Sequence, residues 1–245
     1  MSRKITGKIL FFVFVLVIVA LGGSYYLSSD QQHAADYSEA TRSERIISKK
    51  EEADLDNNAI QETYSLENGR LTIMESLKVI WQSPDDWWLD DFVLADTNND
   101  GVIDINLSLW KAGDFGNSKP FWVKENDWSI KNHFFIFDLI GGALKMVWGS
   151  SNLGVPNCEF KIEDLDNDGK SDLVVLEGAY SQRPACHGNY IAIWQWNDWG
   201  FTNEWRSDQG TFANLKIEAV EGKKYIEVDS ENGVLSLPGR PNVNQ

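Results

Sequence analysis

Positive charge is what this sequence has least of. Its 22 Lys and Arg stand against 37 Asp and Glu, a formal net charge of −15 over 245 residues. Residues 1–27 hold Arg3, Lys4 and Lys8 and no acid, so the remainder carries (22 − 3) − 37 = −18. Such a surface argues against binding nucleic-acid backbones, which call for basic patches, and it suits cations or basic partners. Catalytic signatures are equally scarce. Gly-x-Ser-x-Gly, His-Glu-x-x-His and the phosphate-binding loop are all absent. The three histidines read as structural or exposed: His33 in a polar stretch, His133 in an apolar strand and His187 beside Cys186. Asp85, Asp86, Asp90 and Asp91 can pair as acid and base only at a carboxylate separation that sequence does not give. They read as solvated or as support for a neighbouring loop.

Only two cysteines occur, Cys158 and Cys186. Outside the cytoplasm they are expected to pair. Two buried reduced thiols are the alternative, and a metal pair would need further Cys or His nearby.

One long apolar run is present. It follows Arg3, Lys4 and Lys8 and extends uncharged from Ile9 to Leu27, close to the length that crosses a bilayer. A signal peptide cut near Ala20-Leu21-Gly22 and an uncleaved signal anchor both fit, and the anchor is favoured because the run continues past that site. Both place the following domain outside the cytoplasm. No Cys follows the run, so a lipoprotein anchor is excluded. Residues 28–63 have almost no aromatic side chain and read as a polar linker. Thr41 with Glu44 resembles a capping box, and Ile46, Ile47 and Leu55 suit one face of a short helix. The apolar heptads of a coiled-coil stalk are missing.

From Tyr64 the pattern becomes short alternating segments separated by turn residues, a domain spanning 64–245. Trp88 to Ala95 and Ile103 to Trp110 flank Asp96-Thr97-Asn98-Asn99-Asp100-Gly101-Val102-Ile103-Asp104. The same nine-residue pattern returns 68 residues later (164 − 96) as Asp164-Leu165-Asp166-Asn167-Asp168-Gly169-Lys170-Ser171-Asp172. Oxygen-bearing side chains stand at places one, three, five and nine, with glycine at place six. That set suits a hard cation such as Ca²⁺, while Asx-rich turns without metal are the alternative. Trp81, Trp148 and Trp205 mark a longer period, at spacings of 67 (148 − 81) and 57 (205 − 148). A third, shorter copy from Leu215 to Val228 connects its strands through Glu221-Gly222-Lys223-Lys224, which lacks the carboxylates. The expected fold is all-β and propeller-like, with about three four-stranded units behind an N-terminal transmembrane helix and linker. The strands from Leu71 to Trp81 are candidates to complete the last unit, closure is open, and a β-sandwich is the runner-up.

These residues resemble the FG-GAP/VCBS-type repeats of integrin alpha-chain propellers and of many exported bacterial proteins. The likeness covers Phe92 to Leu107 and Phe160 to Leu176. It implies Ca²⁺ at Asp96, Asn98, Asp100 and Asp104 and at Asp164, Asp166, Asp168 and Asp172, with backbone carbonyls from Val102 and Lys170. EF-hand and dockerin loops are excluded, because place twelve is Leu107 or Val175 and a strand follows instead of a helix. The 11 Trp and 12 Phe imply a heavily aromatic core, an aromatic binding face, or both. The insert from Ala112 to Lys131, with Phe115, Phe121, Trp122 and Trp128, is the expected recognition loop. The first expectation for function is therefore a membrane-tethered, extracytoplasmic, Ca²⁺-stabilised binding or adhesion module with a protein or glycan partner, oligomeric or not. An enzyme acting on envelope polysaccharide and a structural spacer are the alternatives.

Overall fold

Alternation of apolar and polar residues builds fifteen strands in the computed structural model. It describes residues 48–113, 121, 124–125, 127–182 and 186–241. The expected membrane segment, the first part of the linker and half of the aromatic insert lie outside the described residues.

Four antiparallel sheets follow one another along the chain, and in each the strands pair in sequence order. Sheet 1 contains β1 (Ser48–Ala53), β2 (Glu62–Glu67), β3 (Arg70–Glu75) and β4 (Lys78–Gln82). Sheet 2 contains β5 (Trp88–Ala95), β6 (Asp104–Ala112), β7 (Ile130–Ile140) and β8 (Ala143–Gly149). Sheet 3 contains β9 (Asn157–Glu163), β10 (Asp172–Glu177), β11 (Tyr190–Asn197) and β12 (Gly200–Arg206). Sheet 4 has three strands, β13 (Phe212–Val220), β14 (Lys223–Ser230) and β15 (Gly233–Pro238). The arrangement is propeller-like with four blades, correcting the expected three. The strands from Leu71 to Trp81 do not complete the last unit. They pair with β1 and β2 into a sheet of their own, which begins 16 residues before Tyr64 (64 − 48), inside the stretch read as linker. Leu55 does not lie on a helix either; it is buried in the turn between β1 and β2.

Side chains on alternating faces carry the core from sheet to sheet. Tyr64, Leu66, Leu71 and Ile73 of sheet 1 pack on Phe92, Ile105, Leu107 and Phe135 of sheet 2. The opposite face of β7, Phe134 and Ile136, meets Phe160, Ile162, Leu173 and Val175 of sheet 3. Val174, Leu176, Ile191 and Ile193 then meet Phe212, Leu215, Ile226 and Val228 of sheet 4. Strand β10 is buried along its whole length because it has a neighbour on both faces. Cys158 and Cys186 are joined by a disulfide. In the chain-entropy account, closing a loop of that length stabilises by about 3 to 4 kcal/mol.

The Trp period marks how each full blade ends. Trp81, Trp148 and Trp205 lie opposite Ile73, Ile136 and Ile193, and in each pair the register shifts by one residue at that point. Two residues after each Trp comes a serine. The N–H groups of Ser83, Ser150 and Ser207 donate to the carbonyls of Leu71, Phe134 and Ile191 at 2.9, 3.0 and 2.9 Å. Their hydroxyl oxygens accept the N–H of the same three residues at 3.2, 3.0 and 3.0 Å. A side chain thus replaces the backbone ladder just beyond the bulge, so the strand can leave the sheet with no buried N–H unpaired.

Candidate functional site

Both acidic loops join the first and second strands of a blade, 96–103 between β5 and β6 and 164–171 between β9 and β10. Each has the same internal bonding. The carboxylate at place one accepts the N–H of places five and six: Asp100 and Gly101 bond to Asp96 at 3.1 and 2.9 Å, Asp168 and Gly169 to Asp164 at 3.2 and 2.9 Å. Place nine closes the turn from the strand side, where Asp104 Oδ2 accepts the Thr97 N–H at 2.9 Å and Asp172 Oδ2 the Leu165 N–H at 3.3 Å. Gly101 and Gly169 have φ of 88° and 85°, a conformation that side chains bearing a Cβ disfavour. Asn99 and Asn167, at place four, are also left-handed, with φ of 59° and 61°. Val102 and Lys170 are exposed turn residues whose N–H groups donate to Asp100 and Asp168 at 2.9 and 2.8 Å.

The loops also tie the blades together. Asn99 Oδ1 accepts the Ser171 N–H at 2.7 Å, linking the first acidic loop to the second. Asn167 Nδ2 donates to the Gly222 carbonyl at 3.4 Å, linking the second to the β13–β14 hairpin. That hairpin is a two-residue turn with Glu221 and Gly222 at φ of 50° and 76°, as its sequence predicts.

The two loops differ in how the buried carboxylate at place nine is neutralised. Asp172 is fully buried, and its Oδ1 accepts from Arg240 Nη2 at 3.0 Å while Arg240 Nε reaches Asp166 at 2.9 Å. Burial pushes the Asp172 carboxyl up, and the Arg240 guanidinium opposes that rise. Asp104 is equally buried, but its Oδ1 has no hydrogen-bond partner, nor has Oδ1 of Asp138 on the neighbouring strand β7. Burial, and after it the Asp138 carboxylate, moves the Asp104 carboxyl up to about 7, against the Thr97 N–H. Two bare carboxylate oxygens in a desolvated place are unfavourable without a proton or a cation between them. Two groups of carboxylates, Asp164, Asp166, Asp168 and Asp54, Asp56, Glu62, bring oxygens within 4.8 Å of one another and could hold a metal ion. The second group and Arg240 escaped the sequence reading; an Asp-x-Asp spacing 42 residues upstream (96 − 54) was the available signal for the former.

Beside the first acidic loop lies a groove of about 720 Å³ lined by Asn98, Asp100, Lys170, Trp148, Trp196 and Trp199. Trp199 sits at the tip of the β11–β12 hairpin and is 84% exposed. Trp148 meets Trp196 edge to face at 6.0 Å and also lines a more apolar cleft of about 580 Å³ with Phe134, Trp194 and Phe201. Arg206 and Glu177, paired at 2.7 Å, close one side of that cleft.

Most of the acidic candidates before the first loop are held by structural partners. Asp90 accepts from the Trp110 indole at 2.6 Å, Asp91 pairs with Lys49 at 3.1 Å, and Asp85 pairs with Arg70. Asp86 is exposed. His133 is buried against Phe135, its Nδ1 3.3 Å from the Ser150 carbonyl oxygen. Within the insert, Phe121 and Trp128 are 94% and 66% exposed, while Phe115 and Trp122 lie outside the described residues. No family model matches the chain, and no curated protein matches it significantly.

Proposed function

We propose that this chain is a membrane-tethered, extracytoplasmic binding module, fastened by Ca²⁺ at its acidic loops, that recognises a glycan through the groove at Trp148, Trp196 and Trp199. The observation that carries the reading is Trp199: a ring 84% exposed, at a hairpin tip, beside two further Trp and a rim of amide, carboxylate and ammonium groups. Sugars offer apolar C–H faces to such rings and hydroxyls to such polar rims. The disulfide suits an oxidising compartment, and the basic-then-apolar N-terminus suits export. Asp104 with its bare oxygen supports calcium, a cation that takes six to eight oxygen ligands. The loops hold the rim that carries the groove, so the ion acts on the shape of the site.

A glycan array probed with the full-length chain in millimolar Ca²⁺ tests the reading. Binding should survive in the parent and fall at least tenfold in Trp199→Ala, with the melting midpoint unchanged. Equal binding by both proteins, or capture only of protein ligands, would move the partner surface elsewhere.

A further inference from the structure

The turn between β1 and β2 repeats the two acidic loops place by place. Asp54, Asp56, Asn58 and Glu62 occupy places one, three, five and nine, Asn57 at place four has φ of 57°, and Ala59 at place six has φ of 69°. The bonding repeats as well. The Asn58 and Ala59 N–H groups donate to Asp54 at 3.1 and 2.9 Å, and the Leu55 N–H donates to Glu62 Oε2 at 2.9 Å. These bonds shape the turn whether or not an ion is bound.

Glu62 is what points to a ligand. It is fully buried; its Oε2 accepts from Leu55 N–H and from the Tyr64 hydroxyl at 3.1 Å, and its Oε1 is buried with no hydrogen-bond partner. Among the described residues no Lys or Arg pairs with it, in contrast to Asp172 with Arg240. A carboxylate oxygen of Glu62 lies within 4.8 Å of one from Asp54 and one from Asp56. A buried charge of this kind needs a counter-charge, and three converging carboxylates in the absence of His or Cys select a hard one.

We propose that Asp54, Asp56, Asn58 and Glu62 bind a divalent cation of the Ca²⁺ type, a third site in sheet 1. Asp54, Asp56 and Glu62 together bring three negative charges to the turn. The ion would fix the edge strand β1 to β2. It would also steady Asp56 Oδ2, which accepts the Gly142 N–H at 2.9 Å from the β7–β8 turn of sheet 2. The site stands on its own geometry and does not depend on the glycan reading.

The test is calcium stoichiometry, by equilibrium dialysis of the full-length chain after stripping with EDTA. Glu62→Gln keeps both acceptor bonds of Oε2 and removes the charge. It should bind one Ca²⁺ fewer per chain than the parent, and Asp54→Asn with Asp56→Asn should lose the same one. Should Glu62→Gln fail to fold by circular dichroism, the double variant in the turn decides alone. Unchanged stoichiometry in a folded variant overturns the proposal. A parent that binds one ion, lost in these variants, would uphold this site while refuting calcium at the other two loops.

Discussion

Asn99 Oδ1 accepts the backbone N–H of Ser171 at 2.7 Å, across 72 residues of sequence, so one acidic loop is held against the next. A left-handed asparagine fits this role: its backbone makes the turn while its side chain remains free to reach the neighbouring blade.

Asn99→Gly keeps the left-handed backbone and deletes the amide. It should lower the unfolding free energy by about 1 kcal/mol, the net value of a hydrogen bond. Asn99→Ala should lose about 1 kcal/mol more, from the Cβ in that conformation. Urea titrations of the two variants separate the staple from the turn, and equal losses would remove the second effect.

Asp104 predicts a pH dependence in calcium-free protein. Its carboxyl is raised from 3.8 to about 7, by burial first and then by Asp138. The folded state therefore keeps the proton to higher pH than the unfolded chain. This contribution to stability is complete below about pH 4 and is lost as pH rises through about 7. In EGTA the melting midpoint of the parent should fall relative to Asp104→Asn between about pH 4 and 7. Added Ca²⁺ should restore more at the upper end, where no proton competes for the carboxylate. Parallel curves for the two proteins would count against it.

Arg240 should act as a resident cation at the 164–172 loop. Arg240→Gln leaves Asp172 buried without its counter-charge, and the unfolding free energy in EGTA should drop by about 1 to 2 kcal/mol, discounted for the partial exposure of the guanidinium. Millimolar Ca²⁺ should recover most of the loss, as read from paired melting curves.

Ala59 occupies, at φ of 69°, the place that glycine holds in the other loops. Ala59→Gly should stabilise the chain by about 1 kcal/mol by removing that strain, which outweighs the added freedom of the unfolded chain. A fall in the denaturation midpoint would show that the turn tolerates the Cβ.

The acidic loops at 96–104 and 164–172 were legible because their logic is local: places one, three, five and nine and a glycine lie within a single turn. The same turn at Asp54 escaped notice because Ala59 and Glu62 replace glycine and aspartate, and because polar neighbours made the stretch resemble a tether. Its strand β1 alternates exposed and half-buried residues, with no fully buried side chain to announce it. The Trp period was visible as a spacing. The serine two residues after each Trp was visible in the same way, and only its role in closing the fourth strand needed the bulges to be placed.

By itself the sequence determined the all-β class, the strand alternation, the two acidic turns and the plain hairpin at Glu221-Gly222, since each depends on side-chain period or turn chemistry within about ten residues. Tertiary structure decided the rest: four blades in place of three, Asn99 on Ser171, and Arg240 on Asp172 across 68 residues. Those contacts depend on which sheet face stacks on which. Stacking is set by the summed burial of many apolar side chains, and no local period encodes where one polar group will meet another across that packing.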